Sequence, residues 1–240
     1  MSERKGYAQF CPVALATEIL AERWTPLVIR ELLSGSVRFN DLQRGLPRMS
    51  SALLARRLKE LEFAGIVMRR PGASGRGEYH LTPAGRELLP IVESMGAWAQ
   101  RWLRHKMVEP RNLDPDLLMW DIRRSVVNEL RPGARRFVAE FRLSGVPASR
   151  RRYWLVFEPD LVDLCYKDPG FDPDLLIETS LEVLTTIWLG HLTIGTALDD
   201  GRLVIEGSRR DVAAFRSWFG LSLFAPAGRR PAGQIELEAE

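Results

Sequence analysis

RFNDLQRGLPRMSSALLARRLKELEFAGIVMRRPGASGRGEYHLTPAG, residues 38–85, carries its structural signals in a telling order. Asn40 followed by Gln43 has the form of a capping box and predicts a short helix. Ser50 then precedes Leu53, Leu54, Leu58 and Leu61 at helical spacing, which predicts a second helix capped by Ser50 and stopped at Gly65. Ile66–Arg70 and Glu78–Leu81 read as two strands, and the Pro71–Gly77 stretch between them is too rich in glycine to be anything but a loop. Short helix, turn, helix and hairpin in succession make a helix-turn-helix with a β-wing.

Working outward, residues 11–22 read as a helix with Val13, Ala16, Ile19 and Leu20 on one side. Thr25 as N-cap with Pro26 at N1 predicts the next helix, with Leu27, Val28, Leu32 and Leu33 as its apolar stripe and Gly35 as its end. Thr82-Pro83 opens a long helix reaching about Leu103, kinked at Pro90, with Leu88, Ile91, Val92, Met95, Trp98 and Trp102 along it. That stripe is longer than one small winged helix needs, which favours a dimer contact. A winged helix lays one helix in the major groove and its wing on the neighbouring backbone or minor groove, so double-stranded DNA is the expected partner. Ser51, Ala52, Ala55, Arg56 and Lys59 lie off the leucine stripe. Among them Arg56 is the foremost base or phosphate contact. Ser50 caps the helix, and the N–H groups there can meet a phosphate. Arg38, Arg48 and Arg57 are backbone-contact candidates, and Arg76 at the wing tip is a minor-groove candidate.

At 240 residues the chain can hold one large or two modest domains. The net charge of +3 conceals an asymmetry: residues 1–106 carry 17 Lys/Arg against 10 Asp/Glu, and residues 107–240 carry 17 against 21. A basic first half and an acidic second half suit nucleic-acid binding by the first alone. No apolar run is long enough to span a bilayer, and Met1–Gln9 has no hydrophobic signal core, so a cytoplasmic location and no membrane partner are expected. The expected organisation is a DNA-binding and dimerisation domain over 1–106, a linker helix over 107–131, a second domain over 132–225 and a disordered tail over 226–240. Strand-like runs at 135–143, 151–158, 161–167, 175–179 and 202–206, with helices after Ser180 and over 209–219, make the second domain α+β.

Two cysteines do not suggest a disulfide framework. Cys11 stands just before the first helix, where a helix N-terminus and the neighbouring Arg4 and Lys5 attract negative charge, and Cys165 lies in a strand and reads as core. His80, His105 and His191 lack ligand spacing, so no metal site is expected. No phosphate loop, nucleophile elbow or paired-carboxylate motif is present, so neither catalysis nor a cofactor is expected.

Residues 11–102 resemble the HxlR-type winged-helix regulators. The matching pieces are Cys11-Pro12, Arg23-Trp24-Thr25, Arg38-Phe39-Asn40-Asp41-Leu42, Met49-Ser50, Leu54 with Arg57-Leu58-Lys59-Glu60-Leu61, Gly65, and Tyr79, Leu81-Thr82 and Gly85. The resemblance implies a dimer, built from the first and last helices of the domain, on a palindromic operator. It also implies a redox- or electrophile-sensing role for Cys11. Arg23, Ala52 and Ala55 depart from the family's usual Lys, Lys and Thr. Residues 134–219 resemble, more weakly, the sterol carrier protein-like fold, which implies an apolar or acyl effector in a cavity lined by Leu181, Leu184, Ile187, Trp188, Leu192, Phe215, Trp218 and Phe219. The reading is therefore a ligand-controlled DNA-binding regulator. Its rivals are a thiol-switch regulator using Cys11, and a lipid carrier whose first half is a recruitment module.

Overall fold

The computed structural model describes residues 6–72, 76–127, 136–159 and 161–228. The chain divides into two compact units, Met1–Ser94 and Met95–Glu240.

The first unit contains α1 (Pro12–Leu20), α2 (Thr25–Leu33), α3 (Phe39–Arg44), α4 (Ser51–Phe63), β1 (Val67–Pro71), β2 (Gly77–Leu81), α5 (Pro83–Arg86) and the start of α6 (Leu89–Trp102). One core joins Val28, Ile29 and Leu32 of α2, Leu42 of α3, Leu54, Leu58 and Leu61 of α4, and Ile66, Val67 and Leu81 of the hairpin. Ser50 caps α4 by accepting the Leu53 N–H at 3.3 Å. The hairpin is antiparallel, pairing Val67 with Leu81 and Pro71 with Gly77.

Three local expectations are corrected. Asn40 lies inside α3, whose N-cap is Arg38 in an extended conformation. The Gln43 amide is spent instead on the carbonyls of Leu46 (3.2 Å) and Met49 (2.6 Å), closing the turn into α4. Thr25 is the first residue of α2 rather than its cap; the cap is Trp24, held in a left-handed conformation at φ +77°. The helix expected from Thr82 to Leu103 is broken, not kinked. Thr82 caps α5 through the Gly85 N–H, and α6 starts afresh at Leu89, so Pro90 falls in its first turn, where the missing N–H forfeits no helical bond.

The second unit takes up α6 at Met95 and continues through α7 (Arg104–Met107), α8 (Pro115–Ser125), β3 (Phe137–Ser144), β4 (Arg152–Phe157), β5 (Val162–Cys165), β6 (Leu175–Ser180), α9 (Leu181–Trp188), α10 (Ile194–Asp199), β7 (Leu203–Gly207) and α11 (Arg209–Trp218). The five strands form one sheet in the order β5-β4-β3-β6-β7, parallel between β3 and β6 and antiparallel elsewhere. Alternate residues of the strands, such as Phe137, Ala139 and Phe141 of β3 and Tyr153, Leu155 and Phe157 of β4, share a core with α8, α9 and α11. Within segment 107–131, expected to be a linker helix, α8 puts Leu118, Met119, Trp120 and Ile122 into this core. Its apolar stripe serves the sheet rather than a free-standing connection.

On the other side of β3, Glu140 is nearly fully buried, and both Arg142 (2.8 Å) and Arg152 (2.7 Å) donate to its Oε1. Burial opposes the charge of Glu140, but these hydrogen bonds outweigh it and hold the carboxyl below its ordinary pKa. Among the described residues no helix is long and apolar enough to cross a membrane. The tail expected from residue 226 lies, beyond Gly228, outside the described residues.

Candidate nucleic-acid interface

The turn between α3 and α4 fixes how α4 is presented. Glu31 of α2 is fully buried and accepts from Arg30 Nη2 at 2.5 Å and from Ser36 Oγ at 3.4 Å. The same Arg30 nitrogen reaches the Gly45 carbonyl at 3.2 Å. A Cβ at Gly45 would collide with the Glu31 carboxylate, so glycine is what lets the α3–α4 turn close on α2.

Along α4, Leu54, Arg57, Leu58 and Leu61 are buried, whereas Ser51, Ala52, Ala55, Arg56 and Lys59 face solvent. The Arg56 side chain is 65% exposed and pairs with Glu60 at 3.0 Å. The Arg38 side chain is 62% exposed, with Glu78 at 3.6 Å. Arg48, Ser50 and Arg76 are also exposed. The N–H groups of the first turn of α4 have no acceptor within the helix, and Ser50 takes one of them.

Arg57 does not join this surface. Its side chain is only 9% exposed, and it is shared between Glu22 at 2.8 Å, Glu60, and the Arg23 carbonyl at 3.2 Å. The two acceptors at 22 and 23 precede the left-handed Trp24, so Arg57 ties α4 to the strained turn between α1 and α2. Arg57 was expected to meet a phosphate; in the structure its guanidinium is shared among these three partners. Arg57 lies three residues after Leu54 and four before Leu61, a spacing that puts it on the buried stripe.

Sequence reasoning also missed two cations. Arg69 and Arg70 of β1 are exposed, Arg69 standing 5.9 Å from the Tyr79 ring centre and Arg70 Nε 3.2 Å from Met68 Sδ. Their position just before Pro71-Gly72 was the available signal. Residues 73–75 lie outside the described residues.

Cys11 is a half-buried free thiol at the N-cap of α1 and makes no side-chain capping bond; Arg4 and Lys5 lie outside the described residues. Burial, and secondarily Asp163, pushes the Cys165 thiol up. No cluster of three or more His, Cys, Asp or Glu among the described residues suits a metal ion. The residues expected to line a cavity sit together: Leu181, Leu184, Ile187, Phe215, Trp218 and Phe219 are buried in the second core, with Trp188 and Leu192 packed against it. Trp218 is fully buried between Phe157 and Phe215, each ring centre 5.0 Å away, and its Nε1 has no hydrogen-bond partner among the described residues.

The sequence of residues 19–107 matches the HxlR-like helix-turn-helix family model. The uncharacterized HTH-type transcriptional regulator YvaP of Bacillus subtilis is 40% identical over 40% of this chain and 92% of its own length. The HTH-type transcriptional regulator YodB of the same organism is 37% identical over 38% of this chain and 85% of its own. The solved reduced form of YodB, at 36% identity, covers 39% of this chain and 95% of that one with a TM-score of 0.35. The family match ends at residue 107, so most of the second unit lies outside it. By its first unit, this chain belongs to the HxlR-like helix-turn-helix family of transcriptional regulators.

Proposed function

We propose that the chain binds a palindromic operator in double-stranded DNA as a homodimer, with α4 in the major groove and the β1–β2 wing on flanking backbone or minor groove. The observation that carries this is the split of α4: Leu54, Arg57, Leu58 and Leu61 hold it to the core, leaving Ser51, Arg56 and Lys59 outward. Arg56 reads a base edge or a phosphate, Arg38, Arg48 and the first-turn N–H groups at Ser50–Ser51 hold the backbone, and Arg69, Arg70 and Arg76 serve the wing. The exposed Val13 and Leu15 of α1 supply one apolar dimer contact, and the exposed stripe Ile91, Met95, Trp98 and Trp102 along α6 supplies another. Fluorescence anisotropy on a duplex selected from a random library tests the assignment. Arg56→Ala is expected to weaken binding by roughly 5–150-fold, the equivalent of about 1–3 kcal/mol. Failure of the unaltered protein to bind any duplex at low salt, together with tight retention of lipid, would sink it in favour of a lipid carrier.

The second unit is read as a sterol carrier protein-like domain that admits an apolar or acyl effector among Leu184, Ile187, Phe215 and Trp218. The unpartnered Trp218 Nε1 favours a ligand bearing one hydrogen-bond acceptor. Native mass spectrometry of the purified protein would show such a ligand if it is retained. The second reading is a switch at Cys11, favoured by its place at the N-cap of α1. Loss of DNA binding on oxidation, abolished by Cys11→Ser, is its signature.

A further inference from the structure

We propose that the second unit governs the first through α6, by gripping the C-terminal half of that helix at Gly96 and Gln100. The inference rests on the DNA-binding reading and adds a route by which the appended unit acts on it.

One continuous helix, Leu89–Trp102, starts in the first unit and ends in the second. Its beginning is held by the first core, against which Leu88 and Val92 pack. Its C-terminal half is held differently. Gly96 sits directly against the ring of Phe224, and a Cβ there would collide with it. Gln100, four residues on and so on the same face, is only 1% exposed. Its Nε2 donates to the Leu189 carbonyl at 2.8 Å. That carbonyl is at the C-cap of α9, where the last carbonyls of a helix lack intrahelical donors, so a side chain of α6 closes the end of α9.

The segment that carries Phe224 is tied to the same place. The Ser222 N–H donates to the Trp188 carbonyl at 2.8 Å. Ala225 Cβ lies 2.8 Å from where a Cβ on Gly190 would stand. The C-terminus of α9, residues 222–225 and the Gly96–Gln100 face of α6 therefore form one contact cluster. On its other side α9 sends Leu181, Leu184 and Ile187 into the core of the second unit. A change in that core that shifts the end of α9 must move the acceptor of Gln100, and α6 with it. The exposed stripe Ile91, Met95, Trp98 and Trp102 is on a different face of the helix, so the grip leaves it uncovered.

Two variants of the full chain release the grip in different ways. Gly96→Leu pushes Phe224 away, and Gln100→Ala removes the amide. Hydrogen exchange is read over residues 83–94 and 95–102 separately, alongside anisotropy on the selected duplex. Both variants are expected to raise exchange over both stretches and to shift DNA affinity on the order of tenfold, an ordinary size for coupling between sites. Adding Phe224→Ala to Gly96→Leu is expected to bring affinity back to within about threefold, since the added side chain then fits. Faster exchange confined to 95–102, with affinity within about twofold of the unaltered protein, overturns the proposal. Should Gly96→Leu fail to fold, Gln100→Ala decides. Should the unaltered protein bind no duplex, the DNA-binding reading falls alone, and exchange over 83–94 still decides the coupling.

Discussion

Replacing Arg57 by alanine separates two roles that look alike in the sequence. In the structure the guanidinium bridges Glu22, Glu60 and the Arg23 carbonyl, with 9% of the side chain exposed. A hydrogen bond to a charged group contributes about 1.5–3 kcal/mol when buried. The two carboxylates are 35% and 33% exposed, so they regain water once the cation is gone and much of that sum is screened. The net loss is about 2–3 kcal/mol, which for a domain of this size lowers the melting temperature by roughly 10–20 °C. Arg57→Lys is expected to lose nearly as much, because an ammonium on a flexible stem does not reproduce a planar fork serving three acceptors. Arg56→Ala, from an exposed side chain with one surface pair, should change stability by no more than about 0.5 kcal/mol while weakening DNA binding. Calorimetric melting of the two variants beside anisotropy on the selected duplex makes the comparison. The reasoning is refuted if Arg57→Ala melts within about 3 °C of the unaltered protein and yet binds DNA at least tenfold more weakly, for Arg57 would then be a phosphate contact.

Three further outcomes follow from the geometry. Gly45→Ala drives a Cβ into the buried Glu31 carboxylate and should destabilise the first unit by about 1–3 kcal/mol in urea titration; a neutral result would mean that α2 and the α3–α4 turn separate easily. Arg76→Ala should lower the slope of log affinity against log salt by about one, as expected on losing one phosphate contact, and an unchanged slope would remove the wing tip from the interface. Glu140 has a folded pKa below its unfolded one, so its contribution is complete above the unfolded value of about 4.3 and is lost as pH falls through the lower folded value. Glu140→Gln should therefore flatten the acid limb of the second unit's stability profile, and an acid limb as steep as before would show that other carboxylates set it.

What the sequence revealed and what it hid divide along physical lines. Ser50 and Ser180 were legible as caps because a short polar side chain followed by helical periodicity leaves little else for it to do, and each accepts an N–H of the helix it precedes. Trp24 was not, because Thr25-Pro26 has a better cap signature and nothing local announces a left-handed tryptophan; the turn is held from a distance by Arg57. The parallel pairing of β3 with β6 was hidden for the same reason, since partners such as Phe141 and Ile177 are far apart in the chain. Among the DNA candidates, one helical step separates the exposed Arg56 from the buried Arg57. The leucine spacing held that information, and charge drew attention away from it.

The α6 stripe also bears on how the proposed dimer would be built. Ile91, Met95, Trp98 and Trp102 are 45%, 53%, 54% and 39% exposed, so covering them removes about half of each side chain from water. At about 1.5–3 kcal/mol for a fully buried large apolar side chain, the four contribute roughly 3–6 kcal/mol per copy and twice that for a pair. Association costs about 4–15 kcal/mol before any such gain is counted, so the stripe by itself gives a marginal dimer at best. In the proposed dimer the shortfall would be met by Phe10, Val13 and Leu15, which are 99%, 69% and 53% exposed at and before α1. A dimer built on both helices predicts that neither set suffices alone: Val13→Asp should dissociate it as Trp98→Asp does, each read by sedimentation equilibrium. A dimer that survives Val13→Asp undiminished would mean that α1 takes no part in it and that its apolar residues await some other partner.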